Sequence, residues 1–310
     1  MKVIEVSHLT KDYGSGRGVF DISFHVNKGE VFGFLGPNGA GKSTTIRHLM
    51  GFSKPQSGQT KIFNEETFDQ YYRILNHVGY IPGEIALPAG LTGWEFIHMM
   101  QNLQKCKNDE QLKYLLELFQ LDPSMETKRM SLGSKRKLAI VTAFMSDPDV
   151  LILDEPTSGL DPVMQEKFIE FIKKEKERGK TILLSSHIFS EVDATCDRIA
   201  IIKDGKIVSD FVANDLKHSA IKNYEIVFST FDVYHQFIKE QSQSNFFELL
   251  KQDETHNKVI ISTHDTHINE VIQLFSNYSI KSFSHLKETL EDYFMSYYKE
   301  EKDFGGAFAK

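Results

Sequence analysis

The feature that most constrains this chain is a glycine-rich segment between an apolar run and a helical one. Two glycines enclose four residues and are followed by Lys and Ser, in the order Gly36-Pro37-Asn38-Gly39-Ala40-Gly41-Lys42-Ser43. The preceding run, Val31 to Leu35, is typical of a buried strand, and a helix is predicted from about Ser43 to Met50. A loop between a strand and a helix with this spacing binds phosphate, because its backbone N–H groups surround the oxygens and its glycines allow close approach.

The charge of a phosphate ligand explains why the segment needs Lys42 and Ser43. A helix N-terminus offers about half an elementary charge, which cannot balance a triphosphate. Lys42 adds a full positive charge, and Ser43 offers a hydroxyl oxygen to Mg²⁺. The alternative is a glycine-rich turn without a ligand. The residues predicted to bind the nucleotide phosphates are Gly36, Pro37, Asn38, Gly39, Ala40, Gly41, Lys42, Ser43 and Thr44.

A second motif is an apolar strand, Val150 to Leu153, that is followed at once by two acidic residues. Isolated charges beside a core are costly, so paired carboxylates at this place indicate a binding partner. Asp154 is predicted to hold Mg²⁺, directly or through water, and Glu155 to orient and polarise an attacking water molecule. A positioned base contributes about 10²–10⁴ in rate. The alternative for both acids is a cap or turn after the strand.

Together these motifs resemble the ATPase subunits of ABC transporters, over residues 1 to about 217. The likeness extends through Asp154-Glu155-Pro156-Thr157-Ser158-Gly159-Leu160-Asp161. It implies an α/β fold: a P-loop ABC ATPase core, with a mixed sheet and a helical subdomain, that binds ATP and Mg²⁺. In this family a histidine at the position of His187 contacts the γ-phosphate, and an aromatic residue at the position of Tyr13 stacks on adenine. Apart from the resemblance, both residues are typical of an exposed surface.

The family's signature segment corresponds to Ser131-Leu132-Gly133-Ser134-Lys135, in which Leu132 replaces Gly and Ser134 replaces Gln. Ser131 is predicted to cap a helix, so that its hydroxyl, the Gly133 N–H and the helix dipole can face an anion. In the family that anion is the γ-phosphate bound to the other subunit, and two subunits enclose two ATP molecules. An ordinary serine cap is the alternative.

The resemblance is incomplete after residues 78–82, where the family usually has Gln, or sometimes Glu. Here Gly83 occupies that position and is followed by Glu84. In the family the Gln contacts Mg²⁺ and senses the membrane partner. Glu84 is either its substitute, displaced by one place, or a solvated acidic residue in a turn.

Two domains are predicted. Alternating strands and helices imply a mainly parallel sheet in residues 1–217, with a helical subdomain at about 84–147. Residues 218–310 are predicted to form a small α+β domain that stabilises or regulates a dimer and ends in a loose tail at about 304–307. Its predicted order is strand, helix, hairpin, helix, strand and helix, and the clearest strands are Tyr224 to Phe228 and Val259 to Ser262. Residues 286–294 resemble the C-terminal part of bacterial drug, peptide and lantibiotic export ATPases, whose membrane protein is a separate chain.

Composition limits the partners and the compartment. The formal net charge is −7, so no nucleic-acid partner is expected, since phosphate contacts need clustered Lys and Arg. Cys106 and Cys196 lie far apart in sequence, which favours a reducing compartment over a disulfide. No run reaches the roughly 20 apolar residues that cross a bilayer, and no signal peptide is expected.

These observations predict an ATP-hydrolysing subunit of an ABC exporter that works as a homodimer, or with a paralogous cassette. Its permease would be a separate multi-span protein, which would hold it at the cytoplasmic face of the membrane. Export follows from the resemblance only. Two alternatives stay open: a soluble ABC ATPase acting on ribosomes or DNA, and a non-hydrolysing regulatory cassette, which the altered signature and the absent Gln would fit.

Overall fold

The chain divides into two compact units, Met1–Ala213 and Asn214–Lys310, each with its own hydrophobic core. The structure is a computed structural model, and it describes residues 1–105, 107–217, 220–241, 245–286 and 289–299. Cys106 and the predicted loose tail lie outside the described residues. Among the described helices, none combines the length and the apolar character that crossing a bilayer requires.

The strands of the first unit alternate with α-helices over most of its length. The strands are β1 Lys2–Asp12, β2 Gly18–Asn27, β3 Val31–Leu35, β4 Ser57–Ile62, β5 Glu65–Glu66, β6 Val78–Ile81, β7 Val150–Asp154, β8 Thr181–Ser186, β9 Arg198–Lys203 and β10 Lys206–Val212. The α-helices are α1 Lys42–Leu49, α2 Thr67–Ile74, α3 Gly93–Gln104, α4 Asp109–Leu118, α5 Leu132–Phe144, α6 Pro162–Glu177 and α7 Phe189–Thr195. A short helix, α8 Ala213–Lys217, spans the division between the units.

The central sheet has the strand order β10-β9-β3-β8-β7-β6. Its strands run parallel except β10, which is antiparallel to β9. A second, antiparallel sheet has the order β2-β1-β4-β5. The predicted α/β fold with a mixed sheet is confirmed. Because β3, β7 and β8 are mostly apolar, they are buried along their whole length inside the first unit.

The parallel arrangement determines where the polar motifs meet. The carboxyl ends of β3, β6, β7 and β8 lie at one edge of the central sheet, and each is followed by a segment that the sequence singled out. The glycine-rich loop follows β3, Gly83 follows β6, Glu155 follows β7, and His187 follows β8. Residues that are up to 151 positions apart in sequence, such as Gly36 and His187, therefore emerge at the same edge.

The region between β6 and β7 is helical, and each of its three α-helices begins after a residue whose side chain caps it. Thr92 and Glu95 form a reciprocal capping box at the start of α3, and the Asn108 side chain caps α4. Ser131 caps α5 by accepting a hydrogen bond from the Ser134 N–H at 3.1 Å. The Ser131 cap sets the first residue of α5, and it therefore sets the position of Ser131 and Gly133 at the start of that helix.

The second unit follows the predicted order of strand, helix, hairpin, helix, strand and helix. Its elements are β11 Ile221–Phe228, α9 Phe231–Gln241, β12 Glu248–Asp253, β13 Lys258–His264, α10 Ile268–Phe275, β14 Ile280–Leu286 and α11 Leu290–Lys299. The strands form an antiparallel sheet in the order β12-β13-β11-β14. Its core contains Ile226, Phe228, Phe237, Val259, Ile261 and Phe275.

Candidate active site

The glycine-rich loop between β3 and α1 is closed around the side chain of Lys42. The Lys42 ammonium donates hydrogen bonds to the Gly36 carbonyl at 2.6 Å and to the Pro37 carbonyl at 3.2 Å. Gly41 has φ +112°, and a Cβ there would lie 2.7 Å from Val19 Cγ1. Only glycine fits at that position, so the loop geometry depends on the residue type that the sequence supplies.

Glu155 contacts both Lys42 and His187. One carboxylate oxygen, Oε1, lies 3.0 Å from Lys42 Nζ, and the other, Oε2, lies 2.6 Å from His187 Nδ1. The Lys42 side chain is 5% exposed and that of Glu155 is 14% exposed, so water screens this pair weakly. Glu155 also has φ +50°, a conformation that is uncommon outside glycine and that tends to occur at functional sites.

Asp154 and Ser43 present oxygen atoms to one small region beside Gly83. A Cβ on Gly83 would lie 2.9 Å from Asp154 Oδ2 and 3.7 Å from Ser43 Oγ. The Ser185 hydroxyl donates to the other oxygen of the buried Asp154 carboxylate and so fixes its orientation. Carboxylate and hydroxyl oxygens are the ligands that Mg²⁺ prefers, and this ion usually keeps several water ligands as well. The donor set therefore fits Mg²⁺.

Gly83 stands where the family resemblance places Gln, and the structure shows what that replacement does. Position 83 faces Asp154 and Ser43 directly, yet it contributes no side chain to them. Glu84 is exposed, and its role as a substitute for Gln stays a prediction. Position 83 therefore offers no side-chain oxygen to a metal ion that Asp154 and Ser43 would hold.

Ser131 and Gly133 lie at the start of α5, where their neighbours are Ser134 and Gly159. The Ser131 hydroxyl lies 3.0 Å from that of Ser134, and a Cβ on Gly133 would lie 3.0 Å from the Gly159 carbonyl oxygen. Ser131 is exposed, as an anion-binding cap must be. The role of both residues in binding the phosphate of a second subunit stays a prediction.

The other predicted nucleotide contacts are Tyr13, which lies between β1 and β2, and the remaining residues of the glycine-rich segment. Tyr13 is 58% exposed, and Lys11 Nζ lies 5.8 Å from the centre of its ring. An exposed ring has a face on which a base can stack. The Lys11 ammonium is attracted to the face of the Tyr13 ring. Pro37, Asn38, Gly39 and Ser43 are exposed, Gly41 and Thr44 are partly buried, and Gly36 and Ala40 are buried.

Arg136 was not predicted, although it contacts two segments of the site. It lies on α5, is 2% exposed, and donates from Nε to the Ser158 carbonyl at 2.9 Å. Its two terminal nitrogens donate to the Pro82 and Gly83 carbonyls, each at 2.8 Å. Burial lowers the pKa of the guanidinium, whereas Asp154 and Glu155 raise it. The only signal in the sequence is a run of three basic residues, 135–137, before the apolar half of α5, and nothing in that run singles out Arg136.

Glu191, on α7, was not predicted either. Its Oε2 accepts hydrogen bonds from the Ser186 hydroxyl at 2.6 Å and from the Thr157 hydroxyl at 3.3 Å. The Ser186 hydroxyl in turn accepts from the Ile188 N–H at 2.9 Å, so Glu191 holds the backbone on both sides of His187. Burial, with a smaller effect of Glu155, raises the pKa of Glu191 to about 7. In the sequence it is simply an acid near the start of a helix.

Comparisons with known proteins agree with this geometry. Residues 19–158 match the sequence profile of the ABC transporter family. The chain is 32% identical to an uncharacterised ABC transporter ATP-binding protein, YhcH, from Bacillus subtilis (strain 168), over 97% of each chain. It is also 32% identical to the bacitracin transport ATP-binding protein BcrA from Bacillus licheniformis, over 94% of this chain and 96% of that one. A solved ATP-binding subunit of an ABC transporter is 31% identical, with a TM-score of 0.63, over 69% of this chain and 92% of that chain.

Proposed function

This chain belongs to the ABC transporter family as an ATP-binding protein, and on that premise we propose that it is the ATP-hydrolysing subunit of an exporter. The family hydrolyses ATP. The finer proposal is that this chain couples hydrolysis, in a head-to-tail dimer, to transport through a separate membrane protein. BcrA, one of its relatives, is named as a bacitracin transport ATP-binding protein, which supports a role in transport, whereas export rests on the family resemblance.

One observation carries the proposal: a buried lysine, an acid and a histidine meet at the edge of the central sheet. Glu155 lies within 3.0 Å of Lys42 Nζ and within 2.6 Å of His187 Nδ1. A binding module needs a cation for phosphate, but it does not need a base and a histidine beside that cation. This combination favours hydrolysis over the alternative of a non-hydrolysing regulatory cassette.

The proposed reaction is attack of water on the γ-phosphorus of ATP. The new P–O bond forms as the bond to the β,γ-bridging oxygen breaks, so that ADP and inorganic phosphate leave and Glu155 takes the proton that the water loses. Lys42 would move from its carbonyl and carboxylate contacts to the outer phosphates, where its charge stabilises the transferred group. Glu155, released from Lys42, would accept a hydrogen bond from the water and orient it for attack. His187 would then donate to the γ-phosphate from the ring that now contacts Glu155.

Ser43 and Asp154 are proposed to hold Mg²⁺ on the phosphates. The ion neutralises charge on the phosphate oxygens when it is bound. The Ser185 hydroxyl orients Asp154 and leaves its Oδ2 directed to the region shared with Ser43. These residues of the chain therefore align the nucleotide, whereas Glu155 and His187 act on the water and on the γ-phosphate.

Ser131 and Gly133 support a dimer. They form an exposed helix N-terminus with a serine cap, which is suited to an anion, on α5 and not on the glycine-rich loop. In a head-to-tail pair of identical chains, or with a paralogous cassette, each would meet the γ-phosphate held by its partner. We propose that the second unit, at about 218–310, stabilises or regulates this dimer, since its self-contained core gives it a fold of its own.

The test uses Glu155→Gln, which keeps the shape of the side chain but cannot act as a base. We expect slow hydrolysis and a dimer on gel filtration with ATP, followed by recovery of a stoichiometric multi-span protein from membranes in mild detergent. Lys42→Ala in the same background should abolish both the dimer and the recovery, because it removes the phosphate contact. Glu110→Gln, at an exposed helical position, is the matched control for the substitution itself.

The outcomes separate the possible functions. Recovery of ribosomal proteins or DNA-bound factors in place of a membrane protein would indicate the soluble ABC ATPase. Wild-type protein that hydrolyses no ATP, alone or with the membrane protein, would indicate a regulatory cassette. A chain ending at Lys217 that forms the dimer and supports transport normally would remove the proposed role of the second unit.

A further inference from the structure

Arg136 connects three parts of the first unit through its single buried side chain. Its backbone belongs to α5, five residues after the Ser131 cap. Its guanidinium donates to Pro82 and Gly83, which follow β6, and to Ser158, which lies after β7. Pro82 and Gly83 lie 54 and 53 positions before Arg136 in sequence, and Ser158 lies 22 positions after it.

Both acceptor segments border the acid pair. Gly83 is the residue whose Cβ would lie 2.9 Å from Asp154 Oδ2. The Ser158 N–H donates to the Glu155 carbonyl at 3.2 Å, so Ser158 closes the turn that begins at Glu155. The guanidinium therefore holds the backbone next to Asp154 on one side and next to Glu155 on the other.

We propose that Arg136 is a positioning residue for hydrolysis: it couples the Ser131 end of α5 to the backbone segments that flank Asp154 and Glu155. This inference rests on the proposed ATP hydrolysis and names a residue that sets its geometry. A movement of α5, when Ser131 meets phosphate, is transmitted through Arg136 to Gly83 and Ser158.

The shape of the side chain explains why arginine suits this role. Three carbonyl oxygens from two separate segments are met by three nitrogens of one rigid plane. A lysine ammonium would keep the charge but, as a single point, could not span the same acceptors. The nearby negative charges of Asp154 and Glu155 offset part of the cost of burying the guanidinium.

Because Gly83 has no side chain, the hydrogen bonds from Arg136 to this segment matter more for its position. Because position 83 has no side chain, it can respond to its neighbours only through its backbone, and its carbonyl is one of the groups that Arg136 holds. Two of the three Arg136 hydrogen bonds go to that segment. Arg136 thus acts through the main chain at the point where the family usually uses a glutamine side chain.

The experiment compares Arg136→Gln and Arg136→Lys with Arg129→Gln and Arg129→Lys. Arg129 lies two residues before the cap of α5 and is exposed, so it controls for the same changes in charge and shape. Measurements are the kcat and KM for ATP, the Kd for a fluorescent ATP analogue with Mg²⁺, and amide hydrogen exchange in peptides covering residues 82–86 and 155–160. Thermal melting identifies any variant that does not fold.

For Arg136→Gln we expect kcat to fall about 30- to 100-fold, the size of effect that a misplacement of about 1 Å produces. The Kd for nucleotide should stay within about threefold, because Lys42 and the glycine-rich loop are untouched. Exchange should become faster in both peptides and stay unchanged in residues 36–43. Arg136→Lys should recover part of kcat, and it replaces the Gln variant if that variant does not fold.

Several results would overturn the proposal. These are a kcat within twofold of the wild type in both Arg136 variants, a loss of nucleotide binding in parallel with kcat, or unchanged exchange in either peptide. If the wild type itself hydrolyses no ATP, the proposed function fails. The exchange of the two peptides then still decides whether Arg136 holds them.

Discussion

The Lys42 ammonium and the Glu155 carboxylate lie 3.0 Å apart, and both side chains are largely shielded from solvent. The residue proposed to bind the γ-phosphate is therefore paired with the residue proposed to activate the water. A triphosphate must attract Lys42 away from Glu155, and the same step releases Glu155 to act as a base. Phosphate binding and activation of the base are thus linked through one ion pair.

This linkage predicts opposite effects of Glu155→Gln on binding and on hydrolysis. Without the carboxylate, Lys42 does not have to break an ion pair before it binds phosphate. The affinity for ATP should therefore rise about three- to tenfold. The loss of the base should lower kcat by about 10²–10⁴. Equilibrium binding of a fluorescent ATP analogue and single-turnover hydrolysis measure the two effects separately.

Glu110→Gln, at an exposed site on α4, should change neither quantity. A Glu155→Gln protein that binds ATP more weakly than the wild type would show that the Lys42–Glu155 pair does not compete with phosphate. A kcat close to that of the wild type would remove Glu155 from the reaction.

The position of Gly83 predicts a specific effect on metal dependence. In Gly83→Ala, the new Cβ would lie 2.9 Å from Asp154 Oδ2, so either the carboxylate or the backbone must move. We expect the Mg²⁺ concentration for half-maximal hydrolysis to rise several-fold and the free energy of unfolding to fall by about 1–3 kcal/mol. Paramagnetic resonance of Mn²⁺ with ATP measures the metal affinity without relying on turnover.

Gly90→Ala is the control for this substitution. Gly90 has φ +82° with open space around its missing Cβ, so alanine there strains the backbone without approaching the metal region. The control should lose some stability and keep the metal affinity. An unchanged metal affinity in Gly83→Ala would show that position 83 is not next to the bound ion.

The strand-end motifs could be predicted because each is a local pattern. The glycine-rich loop and the acid pair follow apolar strands directly, and in a parallel sheet such strand ends meet at one edge. Arg136 and Glu191 could not be predicted, because their partners are distant in sequence. Arg136 meets Gly83 across 53 residues, and Glu191 meets Thr157 across 34. Nothing local distinguishes them from a charged residue on a helix.

In the second unit, the order of elements along the chain could be predicted, but the order of strands in the sheet could not. Alternation along strands such as Val259 to Ser262 predicted the sequence of elements. It did not predict the strand order β12-β13-β11-β14, in which the first strand lies between the third and the fourth. That order depends on how α9 and α10 cross over the sheet, and crossing connections leave no periodic signal within a strand.

Glu191 predicts a pH effect on stability. The pKa of Glu191 is raised from 4.5 to about 7 in the folded protein, so the native state keeps a proton that the unfolded chain loses. The stability that this group contributes is complete below about pH 4.5 and is lost as the pH rises through about 7. Glu191→Gln stays neutral and avoids this loss. Relative to the wild type, the variant should gain up to about 2–3 kcal/mol between about pH 5 and pH 8.

Chemical denaturation at several pH values, followed through the transition of the first unit, measures this difference. Glu110→Gln, whose carboxylate is exposed, should give a curve parallel to that of the wild type. Parallel curves for Glu191→Gln as well would show that Glu191 ionises at its ordinary pKa in the folded protein.

The separate cores predict that the second unit can be destabilised without loss of nucleotide binding. Phe237 is fully buried, and the centre of its ring lies 5.0 Å from that of Phe228 and 5.1 Å from that of Phe275. Phe237→Ala should cost about 3–5 kcal/mol, a large part of the stability of a domain of this size. Phe231→Ala is the control on the same helix, since that ring is 49% exposed and its loss should cost less than about 1 kcal/mol. Limited proteolysis should then cleave the second unit of the Phe237 variant, while the affinity for ATP stays that of the wild type. Loss of ATP binding together with that cleavage would show that the first unit depends on the second for its fold, because the substitution touches none of the phosphate-binding residues.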